Sequence, residues 1–299
     1  MSEQPKPQDV VIGGNLQKGI TGQYSLSVGE VLKESLRMTS NRFLRLFPAM
    51  MIFMAIHLTI LWIAMLQMTD METIQAGLDS LKLVMTATAN TGMSLEDSLT
   101  PEQITQIKSV VNELLHALGV SVFIAYVLTG PLYAGYCMQS MNISVGLETR
   151  IGDIFKGFRF TVPFVLLMLV IGGIELVIPS LLMVYLTLAT MFTPYLMIEK
   201  RLPLFRAIGY SFVAFHKRLL PLLLIGMTIF IAGFILSLLT QGLAFFFFFP
   251  LWFMAKAICY RNAFGLTLRI EPKEGQASPA ATDDDQTPPS QGSSGHFDA

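Results

Sequence analysis

The chain has 299 residues, 53% of them hydrophobic and only 14% charged, with a net charge of -1 and a mean hydropathy of +0.57. A water-soluble domain carries about 25% charged side chains, so this composition excludes an ordinary soluble globule. Its 20 Lys and Arg residues gather at the borders of apolar stretches, which excludes a basic nucleic-acid stripe and favours contact with anionic lipid.

Residues 1–24 are polar, with Gly13, Gly14, Gly19 and Gly22, and predict a flexible cytoplasmic N-terminus. The run from Met1 to Glu30 lacks the compact basic and apolar regions of a cleaved export signal. Residues 25–268 then carry four long apolar stretches, 46–67, 117–141, 158–197 and 219–260. A spanning helix takes about 20 mainly apolar residues, and the third and fourth stretches have room for two each. The fold class expected is all-α: a polytopic membrane protein with six transmembrane helices in three hairpins. Three amphipathic segments introduce the first, third and fifth spans: Val28, Val31, Leu32 and Leu36; Ile151, Ile154, Phe155 and Phe158; Phe205, Ile208, Phe212 and Phe215. Each predicts a short interfacial helix with its charges in the headgroup layer.

Orientation follows from the basic residues. Lys33, Arg37, Arg42 and Arg45 precede the first span, whereas the loop 68–117 has only Lys82 and Lys108 among seven acidic residues. The N-terminus is therefore expected in the cytoplasm and the loop outside. Arg150, Lys156 and Arg159, then Lys200, Arg201, Arg206, Lys217 and Arg218, mark further cytoplasmic segments, and Arg261, Arg269 and Lys273 return the C-terminus there. Uncharged links at Ile178-Pro179-Ser180 and Thr240-Gln241-Gly242 predict tight outer turns.

Within the outer loop, Ile74, Leu78, Leu81, Leu83 and Val84 recur at helical spacing, predicting a helix over 71–85. Residues 86–100 read as a turn region, and Thr100-Pro101-Glu102-Gln103 as a capped start for a helix running into span two. The tail 269–299, with Ser, Pro, Gly and Asp283-Asp284-Asp285, predicts a disordered cytoplasmic segment.

Candidate functional residues lie inside the spans. Gly130-Pro131-Leu132-Tyr133-Ala134-Gly135-Tyr136 combines a helix-bending Pro131 with small residues, Gly130 and Gly135, that permit close helix contact. Tyr133 and Tyr136, with Tyr126, are candidates to line a small-molecule cavity. Pro194 is expected to bend span four as Pro131 bends span two. Glu175 is a carboxylate within an apolar stretch; an ionisable group there is a functional hypothesis by default, but its place about one helical turn from the outer end favours a wet headgroup environment over a proton or substrate relay. His57 lies deeper and can hydrogen-bond across helices. Lys256 is expected to snorkel to the cytoplasmic interface. Cys137 and Cys259 have no metal or disulfide spacing and read as small apolar fillers. The four histidines form no metal pattern, and neither a phosphate loop nor a nucleophile elbow is present; no cofactor is implied.

Gly130-Pro131-Leu132-Tyr133-Ala134-Gly135, Asp153-Ile154-Phe155-Lys156-Gly157-Phe158, Leu204-Phe205-Arg206-Ala207-Ile208-Gly209-Tyr210-Ser211 and the last span from Pro250 to Arg261 occur in that order. In this the chain resembles a family of uncharacterised bacterial multipass inner-membrane proteins with a Gly-Pro-x-x-x-Gly transmembrane segment. The resemblance implies a helical domain in the bacterial inner membrane and supplies no reaction. The function expected is a non-enzymatic membrane protein supporting envelope organisation or a membrane assembly, with membrane lipids and other membrane proteins as partners and no nucleic acid. A small-molecule or lipid transporter is the alternative.

Overall fold

A computed structural model describes residues 8–91, 100–175 and 180–270. The chain opens with strand β1 (Gln8–Ile12) and helix α1 (Leu16–Thr21), then α2 (Val28–Met68), α3 (Met71–Thr91), α4 (Pro101–Leu128) and α5 (Gly130–Ser144). A 3-10 helix (Ile151–Phe160) leads into α6 (Thr161–Glu175), followed by α7 (Ser180–Ala189), α8 (Thr193–Glu199), α9 (Leu204–Lys217), α10 (Leu219–Leu239) and α11 (Phe245–Phe264). Strand β2 (Leu266–Ile270) closes the described chain.

Helix dominates, and among the described residues five stretches are long and apolar enough to cross a membrane: 28–68, 101–128, 151–174, 182–199 and 219–239. Their outer faces are what hydrocarbon would require. On α10, Leu220, Phe234, Leu238 and Leu239 are 66–75% exposed, an apolar exterior that water would penalise heavily. The sixth expected span corresponds to α11. It is helical over 20 residues but contains Lys256, Arg261 and Asn262, so it falls short of the apolarity of the other five, and it is largely enclosed by its neighbours.

Several local expectations change on meeting the structure. The first amphipathic segment is not a separate interfacial helix. With no breaker between Val28 and Leu46, it continues into the first span as one 41-residue helix, about 62 Å long at 1.5 Å per residue. The second amphipathic segment is a 3-10 helix continuous with α6, and only the third, α9, stands as its own helix, set off from α10 by Arg218. Residues 86–91, expected as turn, extend α3. The start of α4 follows the sequence closely: the Thr100 hydroxyl accepts from the Gln103 N–H, and the Gln103 side chain accepts from the Thr100 N–H at 3.0 Å. Thr240-Gln241-Gly242 is a tight turn with Gln241 and Gly242 at positive φ. Residues 176–179 and 271–299, and with them most of one expected turn and most of the tail, lie outside the described residues.

Pro131 and Pro194 do not bend continuous helices. Each occupies the first turn of a new helix, α5 and α8, after a break at Thr129 and at residues 190–192. There the missing N–H costs nothing, because first-turn donors have no intrahelical partner. Among the described residues, Pro48 and Pro250 are the prolines that lie beyond the first turn of a helix.

The N-terminus departs most from expectation. Over 8–24 it is ordered, and the all-α class gains a two-stranded antiparallel ribbon in which Gln8 pairs with Ile270 and Ile12 with Leu266. Its glycines provide contact rather than slack. A Cβ on Gly13, Gly14 or Gly19 would lie 2.1 Å from the Arg261 carbonyl oxygen, 2.3 Å from that of Ala263 and 2.4 Å from the Phe264 ring. Only bare backbone fits against the end of α11. Tyr24 completes the junction by donating to the Ala214 carbonyl at 3.2 Å, and its burial pushes the phenol well above its ordinary pKa. Arg261 donates to both oxygens of Glu34, at 2.9 and 3.0 Å, and to the Ser144 carbonyl, joining α11, α2 and α5 beside the ribbon.

The densest packing surrounds α5, nearly all of whose residues are buried, together with α8 and the second half of α11. Gly135 and Gly157 set the closest approach. A Cβ on Gly135 would lie 1.7 Å from the Ile154 carbonyl oxygen, and one on Gly157 2.0 Å from that of Pro131. The Gln139 amide then donates to the Arg150 carbonyl at 3.1 Å. The 3-10 helix thereby lies along α5 backbone to backbone. Two glycines 22 positions apart make that seam.

Candidate functional site

The site forms where α5, α8 and α11 meet. On α11, Phe249, Phe253, Lys256 and Tyr260 follow at helical spacing, so one face of the helix is an aromatic stripe interrupted by a single ammonium. Lys256 does not snorkel. It is 3% exposed and enclosed where α11 packs on α5. Its Nζ donates to the Tyr133 hydroxyl at 3.0 Å and sits 4.1 Å from the Phe253 ring centroid, with the Tyr133 and Trp252 rings at 5.2 and 5.3 Å. No carboxylate pairs with it among the described residues. A phenol oxygen and the negative faces of aromatic rings therefore take the place of a counter-ion.

The polar chain continues through Cys137, one turn beyond Tyr133 on α5. Its side chain is fully buried. The Tyr195 hydroxyl donates to the Phe253 carbonyl at 3.3 Å and lies 3.4 Å from the Ser140 hydroxyl, which donates to the Cys137 carbonyl at 2.8 Å. Tyr195 stacks on Tyr260 at 5.4 Å. Beyond it, Glu199 is the enclosed carboxylate of the bundle, its side chain 2% exposed. It accepts from the Tyr260 hydroxyl at 2.7 Å, from Lys200 at 2.7 Å, and from the Thr267 N–H and hydroxyl at 3.2 and 3.1 Å. Four donors offset the desolvation of that charge.

Of the residues singled out by sequence, Tyr133 belongs to this cluster. Tyr136 lies on the adjacent face of α5, packed edge-on to Phe253 at 4.7 Å, with its buried hydroxyl unpartnered among the described residues. His57 is apart. Its Nδ1 lies 3.1 Å from the Thr129 hydroxyl at the α4–α5 break, and its ring stacks on Phe53. Gly130 approaches the Phe164 carbonyl, Gly135 the 3-10 helix, and Pro131 and Pro194 open α5 and α8. Glu175 ends α6, and its side chain lies outside the described residues. No protein-family model, curated protein or solved structure matches the chain. The reading of the site accordingly rests on its own geometry.

Lys256, Cys137, Tyr195, Tyr260 and Glu199 were not singled out as a site in the sequence. The signal for Lys256 was the aromatic stripe around it, since a lysine flanked at i-3, i-4 and i+4 by Phe253, Trp252 and Tyr260 sits in the apolar face of its helix. Glu199 gave no such signal, because it ends its apolar stretch beside Lys200 and Arg201 and reads as an interfacial charge. Among the described residues no three His, Cys, Asp or Glu side chains gather as metal ligands. Two clefts lie away from the cluster. One, about 470 Å³, is polar and runs between the ribbon and the start of α2, lined by Lys18, Glu30, Glu34 and Arg261. The other, about 570 Å³, lies between the end of the 3-10 helix and the α8–α9 connection.

Proposed function

We propose that the chain is a six-span protein of the bacterial inner membrane, with three hairpins and cytoplasmic ends, that acts in a membrane assembly rather than as an enzyme. The observation that carries this reading is the hairpin of α3 and the first half of α4, the segment expected to stand outside the bilayer. Gly77 of α3 seats against Leu114 of α4, so the two helices hold each other. They nevertheless leave Leu78, Met85 and Leu115 more than half exposed. Apolar surface on an otherwise polar projection is a feature of partner-binding faces. The paired termini support a common side for both ends.

The test is affinity purification of the full chain in native lipid, with mass spectrometry of the accompanying proteins, beside a variant carrying Leu78→Glu and Leu115→Glu. Enrichment of a membrane protein with the wild type and its loss in the variant is the expected result. Equal recovery with both, or none with either, overturns the assembly reading. A second reading, transport of a small molecule or lipid, is favoured by one observation: Lys256 is buried and has no acidic partner among the described residues. Substrate-dependent flux in liposomes that is abolished by Lys256→Met would support it over assembly.

A further inference from the structure

We infer that the junction of α2 and α3 is a binding site for a soft monovalent metal ion, Cu(I), made of three thioethers and an imidazole. Met65 and Met68 stand one turn apart at the end of α2, and Met71 opens α3. A spacing of three puts the first two on one face, with Cβ atoms about 5–6 Å apart. Only Thr69 and Asp70 separate Met68 from Met71, a span of at most roughly 11 Å. Long, flexible side chains from all three can therefore meet on one ion.

The fourth group comes from α4, whose register is fixed at two points. Thr129 meets His57 at 3.1 Å, and Leu114 seats against Gly77. Counting equal helix lengths from those contacts brings Met68 level with Leu118 and Met71 level with Val120. His116 is then within about one turn, roughly 6 Å, of the junction. It precedes Ala117, the first of the buried stripe Ala117, Ser121 and Ala125, and is itself exposed without a hydrogen bond or ion pair to a described residue.

These donors are open to an arriving ion. Met68 and Met71 are 47 and 49% exposed, and the exposed Asp70 and Glu72 beside them mark water rather than hydrocarbon. The Thr69 hydroxyl between them is buried with no partner among the described residues, so the junction also holds a lone pair that the fold leaves unused. The donor set selects the ion. Asp70, the acid of the junction, is engaged by the Thr73 N–H at 2.7 Å, and no three His, Cys, Asp or Glu side chains gather among the described residues. Calcium, magnesium and zinc therefore lack the oxygen or charged ligands they require. Thioethers joined by one imidazole favour Cu(I). The inference is independent of any assembly role and of flux through the bundle.

The experiment titrates the full chain, purified in a neutral detergent without a histidine tag, with Ag(I), which shares the charge and softness of Cu(I) and undergoes no redox step. Isothermal calorimetry should show one ion bound per chain. Met65→Leu, Met68→Leu and Met71→Leu together should weaken binding more than roughly a hundredfold, because even the outer-shell partners of metal ligands are worth about 10–100-fold. His116→Ala should weaken it at least about tenfold. Met51→Leu with Met85→Leu, exposed methionines elsewhere, should leave it unchanged, and circular dichroism should show every variant folded, since leucine and methionine exchange with little change of volume. X-ray absorption of the Cu(I)-loaded wild type should find sulfur around the metal. Undiminished binding in the triple variant, an equal loss in the control, or a shell of oxygen and nitrogen alone overturns the site. Full affinity in His116→Ala overturns its fourth ligand, and Zn(II) bound as tightly as Ag(I) overturns its selectivity for a soft ion.

Discussion

Gly135→Ala places a methyl carbon where the Ile154 carbonyl oxygen lies 1.7 Å away, against an ordinary contact of 3.4 Å or more. The neighbour is backbone, so no rotamer change relieves the clash, and α5 and the 3-10 helix must part by the difference of about 1.7 Å. Overpacking of this kind costs about 1–3 kcal/mol. Drawing the fully enclosed Ile154 from its seat forfeits part of the roughly 2 kcal/mol its burial supplies. Replacing a helical glycine by alanine returns at most about 1 kcal/mol. The expected net loss is therefore about 3 kcal/mol. Gly209→Ala on α9, where an added Cβ meets nothing within 4 Å, should instead gain up to about 1 kcal/mol. Unfolding of the purified chain by sodium dodecyl sulfate, followed through the fluorescence of Trp62 and Trp252, measures both. Because the same separation that admits a methyl at Gly135 admits one at Gly157, the double variant should cost much less than the sum of the singles. A Gly135→Ala protein as stable as Gly209→Ala, or strict additivity with Gly157→Ala, would refute the backbone seam.

Lys256→Met keeps the stem and removes the ammonium; since exchanging a buried charge for an apolar isostere is often neutral or stabilising by about 1–4 kcal/mol, the unfolding midpoint should be at or above that of the wild type. A loss above about 1 kcal/mol would show that the cation holds the bundle together. Glu199→Ala leaves the Tyr260 hydroxyl and the Thr267 N–H without their acceptor, and should cost about 3 kcal/mol while speeding trypsin cleavage at Lys18, as the ribbon loosens. At the start of α3 the Thr73 N–H donates to the Asp70 carboxylate at 2.7 Å and holds that carboxyl below its usual pKa. The capping contribution is then fully present above the ordinary aspartate range and lost as pH falls through the lowered value. The Thr73 amide resonance should report that titration, and Asp70→Asn should remove it.

Hydropathy made the membrane architecture legible because solvent acts on long stretches, and a run such as 219–239 signals its environment whatever it packs against. Local chemistry was equally readable where partners are near in sequence, as in the Thr100–Gln103 cap. What escaped notice depends on distant partners. Gly135 with Gly157, Glu199 with Thr267, and Gly13 with Arg261 are ordinary residues until the fold brings them together. Lys256 shows the limit most clearly: its depth is set by α5 and by the rings around it, while distance from a predicted helix end suggested an interfacial charge. The prolines misled for a related reason, since Pro131 and Pro194 look the same in sequence whether they bend one helix or begin another.

Pairing of β1 with β2 sets an order on biosynthesis. Residues 8–12 leave the ribosome long before their strand partner, which follows α11. Until translation passes Ile270 they have nothing to pair with, and the glycines shaped for the end of α11 have no surface to meet. A chain stopped before Leu266 would lack β2 and leave β1 without its strand partner. Closure of the ribbon is thus deferred until α11 and the five residues after Gly265 have been made.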